Sequence, residues 1–146
     1  MDIRFVKGNI FELQSDAILY FIENSLLEEN SKKLVEKAGE RILEPLTKIS
    51  GIEKGECKII PAFNITSDYV ILANLPDDLR NNNKNIFKNL IYNVFCEMKK
   101  FEIHSLNIDY SFLTEKYSSE FVNLINEVID EKSLRISDFL VFMCKS

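Results

Sequence analysis

An α/β fold with a mixed, mostly parallel sheet covered on both faces is what this sequence predicts, and three observations predict it. Residues 17–22 and 69–73 are nearly unbroken apolar runs of strand length, as strands buried on both faces require. Between such runs lie segments whose apolar residues recur at helical spacing, clearest at Phe87, Leu90, Ile91, Val94, Phe95 and Met98. Strand and helix signals alternate along the chain, the order that lays helices onto both faces of a largely parallel sheet.

Taken in order, residues 3–6 read as a first strand and Lys7-Gly8-Asn9 as a turn. The segment 10–13 follows, then a second turn at Gln14-Ser15-Asp16, then the buried strand 17–22. Residues 24–30 lead into a helix, with Asn30 or Ser31 as its N-cap. Leu34, Val35, Ala38, Ile42, Leu43 and Leu46 form its apolar face, Gly39 divides it, and Pro45 kinks or restarts the second half. A loop at 50–55 precedes a strand at 57–60, which Pro61 interrupts because proline has no ladder donor. Turn chemistry at 64–68 joins it to the strand 69–73. The polar stretch 77–85 reads as a surface loop before the helix around Phe87 to Met98. A strand at 106–110 alternates apolar and polar residues. A helix opening at Tyr117-Ser118-Ser119-Glu120 buries Phe121, Leu124, Ile125, Val128 and Ile129, and 138–144 is the last strand.

One domain, 1–146, is expected from the length, which is sufficient for a real core. The net charge of −5 argues against nucleic acid, since binding a polyanion relies on a basic surface. No apolar run approaches the roughly 18 residues of a membrane span, and Met1-Asp2-Ile3-Arg4 does not open a signal peptide. Cys57, Cys96 and Cys144 are odd in number and widely spaced, so they read as reduced, mostly buried thiols of a cytoplasmic protein. One histidine, His104, and no Cys-x-x-Cys pair argue against a metal site, and no cofactor is expected. The Asp77-Asp78 pair is a further cation candidate, weighed against an ordinary solvated acidic loop.

The stretch Gly55-Glu56-Cys57-Lys58-Ile59-Ile60-Pro61-Ala62-Phe63-Asn64, a short turn, and Tyr69-Val70-Ile71-Leu72 together resemble the middle of a macrodomain, the ADP-ribose-binding module. Gly8-Asn9-Ile10, Asp16-Ala17-Ile18-Leu19 and Lys37-Ala38-Gly39 sit at the matching places of the same family. The resemblance spans nearly the whole chain and implies a three-layer α/β/α macrodomain-like fold. It also implies ligand-binding positions, at which this sequence departs from the family's pattern. Asn9, beside Ile10, stands where an aspartate meets adenine; an amide still accepts, without charge assistance. In register from Asp16, the asparagine-ended segment that follows Ala17 becomes Tyr20-Phe21-Ile22-Glu23. Glu23 replaces the final asparagine, or Asn24 does after a one-residue slip, and these two are the weak catalytic candidates.

The first phosphate loop becomes Glu28-Glu29-Asn30-Ser31, with no glycine for backbone at positive φ. Each carboxylate facing an anion there would cost about 1 kcal/mol in water and about 4 kcal/mol at an effective dielectric near 20. The second loop becomes 107–114, where Ser111 is a remnant, Phe112 follows it, and both glycines are absent. Three readings follow. The first is a non-catalytic, degenerate module, a pseudoenzyme with a weakened or altered ADP-ribose or nucleotide cleft or a protein-interaction role. The second, implied by the resemblance alone, is an ADP-ribose-processing hydrolase acting on ADP-ribosylated protein or O-acetyl-ADP-ribose. The third is a structural subunit serving oligomerisation. Phe21, Ile22 or Phe112 filling the cleft would favour the interaction reading over nucleotide binding.

Overall fold

A computed structural model describes residues 1–23, 28–49 and 51–146. Six strands form one sheet: β1 (Asp2–Lys7), β2 (Ala17–Phe21), β3 (Cys57–Pro61), β4 (Tyr69–Ala73), β5 (Ser105–Asp109) and β6 (Leu140–Lys145). Their order is β1-β6-β5-β2-β4-β3. Every neighbouring pair is parallel except β3 with β4, so the sheet is mixed and mostly parallel. Pro61 closes β3 on the sheet's edge, where a missing donor breaks no ladder.

Five helices and two 3₁₀ turns cover the faces: α1 (Glu29–Ala38), α2 (Leu43–Lys48), α3 (Asn83–Lys100), α4 (Tyr110–Tyr117) and α5 (Glu120–Glu131), with the turns at Glu40–Ile42 and Leu134–Ile136. Strand alternation divides the core in two. Ala17, Leu19 and Phe21 point to the face of α3, α4 and α5, packing with Phe87, Leu113 and Phe121. Ile18, Tyr20 and Ile22 point to the face of α1 and α2, packing with Leu34, Ile42 and Leu46. The result is the three-layer α/β/α arrangement. Gly39 at φ 91° divides α1 from the 3₁₀ turn that leads into α2, as expected. Pro45 lies in the first turn of α2, where its missing N–H has no intrahelical acceptor.

Residues 10–13 turn back on Asn9, Glu12 and Leu13 N–H both donating to its carbonyl (3.2 and 3.3 Å). Three expectations are corrected. The N-cap of α1 is Glu28; Asn30 and Ser31 lie inside the helix. The surface loop from 77 ends early, because α3 already begins at Asn83. Finally, 110–117 is a helix of its own. Asp109 caps it by accepting the Phe112 N–H, and Ser118 at φ 53° ends it before α5 begins.

Candidate functional site

Parallel strands β2 and β5 lie side by side at the centre, and the chain leaves them in opposite directions across the sheet. Open α/β sheets place ligand clefts at that switch point, beyond the C-terminal strand ends. Here the place is bounded by Phe21 and Ile22, by the head of α1, and by the β5–α4 junction. The ring of Phe21 stacks on that of Phe112, with centroids 5.3 Å apart and an interplanar angle of 23°. Among the described residues two small cavities lie here, of about 40 Å³ and about 50 Å³, both lined by Phe21, Asn30 and Phe112. Binding pockets for organic ligands run to roughly 300–1,000 Å³.

Several polar groups at this end are bonded to the protein itself. Glu28 Oε1 accepts from the Glu23 N–H (2.7 Å) and from the Ser31 hydroxyl (3.2 Å). Glu28 is the N-cap residue of α1, and its side chain makes no capping bond to the helix's backbone N–H groups. Asn30 donates its amide to the Phe21 carbonyl (3.1 Å), and its own carbonyl accepts from the Tyr20 hydroxyl (2.7 Å). Burial, then the negative charges of Asp109 and Glu28, hold the Tyr20 phenol far above its ordinary range, so it serves as a neutral donor. Asp109 lines the smaller cavity, its Oδ1 accepting from Phe112 N–H at 3.0 Å. The β5–α4 junction has no free loop: the strand ends at Asp109 and the helix starts at Tyr110. Lys33 lines the same cavity with its ammonium 5.8 Å from the Phe11 ring centroid.

The sequence-derived residues fall at different places in the structure. Ile10, Glu23, Asn30 and Phe112 all line the remaining cavities. Asn9 sits at the edge as a turn former, its Oδ1 accepting from the Phe11 N–H (2.8 Å), so the acceptor proposed for adenine serves the turn. Ser31 is buried behind Glu28, and Ser111 faces β6, its Oγ accepting from the Ser146 N–H (3.0 Å). Ala17 is corrected outright: it begins β2, at the opposite end of the strand from Phe21. Asn24 lies outside the described residues. Sequence reasoning missed the bonds of Glu28 and the capping role of Asp109; the Asp-x-x-Phe spacing at 109–112 was the available signal for the latter.

Elsewhere the expected alternatives resolve simply. Asp77 pairs with Lys54 (2.5 Å), and Asp78 accepts from the Arg80 N–H (2.9 Å) and Asn83 Nδ2 (3.0 Å). Those bonds hold both carboxyls below their ordinary range. His104 is exposed, and its backbone N–H donates to Asp16. Among the described residues no three His, Cys, Asp or Glu side chains gather into a metal-holding group. Of the three free cysteines only Cys144 is buried; Cys57 and Cys96 are half-buried. Burial pushes the Cys57 and Cys144 thiols up to about 11. A disulfide reagent at pH 8 is therefore expected to modify at most one thiol rapidly in the folded protein and all three in denaturant. Two fast thiols in the native state would contradict this.

The chain has the macrodomain fold. It superposes on the macro domain of ganglioside induced differentiation associated protein 2 with a TM-score of 0.81 at 18% identity, over 99% of this chain and 77% of that one. A Trypanosoma brucei macrodomain in complex with ADP-ribose aligns with a TM-score of 0.77 and 18% identity, over 97% of this chain and 63% of that one. An Oceanobacillus iheyensis macrodomain with MES bound aligns with a TM-score of 0.79 and 16% identity, over 96% of this chain and 81% of that one. The chain thus spans a little under two thirds of the trypanosomal domain. No protein-family model matches the sequence, and no curated protein matches it by sequence. No described helix is long and apolar enough to cross a membrane.

Proposed function

We propose that this chain is a single-domain, non-catalytic binding module on a macrodomain scaffold, with its nucleotide cleft altered. Its working contact is with a protein partner, and ADP-ribose or a related nucleotide is held weakly at most. The observation that carries this reading is the Phe21–Phe112 ring pair, which divides the cleft into spaces of about 40 and 50 Å³. The carboxylates of Glu28 and Asp109 add to it, because each places a negative charge beside the cleft and takes one backbone N–H there, that of Glu23 and that of Phe112. A nucleotide-type cleft remains the scaffold's natural use, since trypanosomal structures of this fold hold ADP and ADP-ribose. A hydrolase reading would rest on Glu23, whose carboxylate is exposed and has no orienting partner among the described residues. Free cysteines accord with a reducing compartment such as the cytoplasm.

Calorimetric titration with ADP-ribose at low ionic strength tests the reading. The expected result is no saturable heat below millimolar ligand. Micromolar binding would mean that the ring pair opens and the carboxylates move aside, and the proposal would fall.

A further inference from the structure

We propose that the end of the sheet opposite the cleft is a self-association surface, where Ile136 of one copy enters the apolar cavity of a second across a two-fold axis. This inference is independent of the cleft reading. The cavity lies at the N-terminal ends of β5 and β6, between the last turns of α3 and the segment leading into β6, and its volume is about 490 Å³. That is several times either space in the cleft. Its floor is apolar: Tyr92, Phe95, Ile103, Leu134 and Phe139, with Phe95 and Phe139 stacked at 5.5 Å.

Ile136 stands on the rim of this cavity and is 94% exposed, the most exposed large apolar side chain among the described residues. Phe101, 48% exposed, is adjacent in sequence to rim residue Glu102. The backbone presents Ile136 firmly. Ser137 N–H donates to the Leu134 carbonyl (3.0 Å), and the Met1 amino group donates to the carbonyls of Arg135 (2.5 Å) and Ser137 (2.6 Å). A knob held rigidly loses little entropy on docking.

The charge pattern names the partner. Lys99, Lys132, Glu102 and Asp138 ring the same cavity, two cations and two carboxylates. Among the described residues none of the four joins an ion pair, and Lys132 Nζ lies over the Tyr92 ring at 4.8 Å. An isologous interface sets one patch against itself. A patch of one sign would then repel, whereas a balanced patch meets its complement. Knob, hole and balanced charges on one face together fit a second copy of this chain. A small apolar ligand would account for the cavity alone.

Sedimentation equilibrium over roughly 1 to 200 µM protein tests this, a range that reads micromolar dissociation constants. The wild type is expected to dimerise. Ile136→Asp is expected to weaken the dimer at least about tenfold, as loss of a central interface anchor does. Because the side chain is exposed, the variant keeps its fold. Leu43→Asp, at a 40% exposed site on α2, is expected to leave the dimer unchanged. A wild type that stays monomeric overturns the proposal, as does a dimer that survives Ile136→Asp or that both variants weaken equally. Uptake of the dye 8-anilinonaphthalene-1-sulfonate by a monomeric wild type would assign the cavity to a small ligand, and likewise overturns it.

Discussion

Phe21→Ala is expected to lower folding stability by about 3–5 kcal/mol and yet leave ADP-ribose unbound. Phe21 is 6% exposed at the end of β2 and belongs to the core cluster under α3, α4 and α5. Removing its ring deletes buried apolar surface, and the stack with Phe112 goes with it. The same deletion joins the cavities of about 40 and 50 Å³ into one larger space. Space alone does not make an anion site. Asp109 still caps α4, Glu28 still holds the Glu23 N–H, and no glycine has been added to either segment. Urea unfolding checks the first half, and a loss under about 1 kcal/mol would show that the ring merely lies on the surface. Titration of the variant checks the second. Tight binding on opening would show that sterics, and not the carboxylates, had excluded the ligand.

Asn107→Asp is expected to be more damaging still, and in a pH-dependent way. Asn107 lies in mid-β5 with no exposed surface. Its amide donates to the carbonyls of Ile10 (3.0 Å) and Leu13 (2.7 Å), tying the turn at 10–13 to the sheet. Its Oδ1 has no hydrogen-bond partner among the described residues. An aspartate there loses both donors and gains a charge facing two carbonyls. Burial raises the folded-state pKa of such a carboxyl above its unfolded value of about 3.9. Below that value both states carry the proton, and the charge costs nothing. As pH rises through the window between the unfolded and folded values, the destabilisation grows, and it is complete above the folded value. A rise of about 3 pKa units corresponds to about 4 kcal/mol at pH 7. Urea midpoints at pH 4 and pH 7 check this: the variant should approach the wild type at the lower pH. Equal losses at both would mean that the carboxylate reaches water.

Strands β2, β4 and β6 and helices α3 and α5 were legible because each carries its own pattern, an apolar run or a helical stripe. Where tertiary contacts set the local structure, the reading slipped. Asn107 looked like the polar half of an alternating strand, but its partners are nearly a hundred residues away. Helix α4 was hidden because the apolar and polar alternation of β5 runs directly into it, with the N-cap Asp109 as the one boundary signal. At the cleft, the absence of glycine and the bulky side chains could be read once the family resemblance had set the register. The bonding of Glu28 could not, since it depends on how the chain turns at the head of α1. The cavity beside Ile136 draws its walls from segments around 92–104 and 132–139, which no local motif connects.

The Glu28 carboxylate has a consequence for competition. It is tethered to the donors it occupies, so its local concentration is set by the chain and reaches the millimolar range or above. Dilution does not reduce it, and salt weakens it no more than it weakens a free anion at the same exposed site. Any anion approaching the Glu23 N–H and the Ser31 hydroxyl competes with an occupant already in place, and its apparent affinity falls to the fraction of time that Glu28 is away. The protein carries its own inhibitor of that position, built from one side chain.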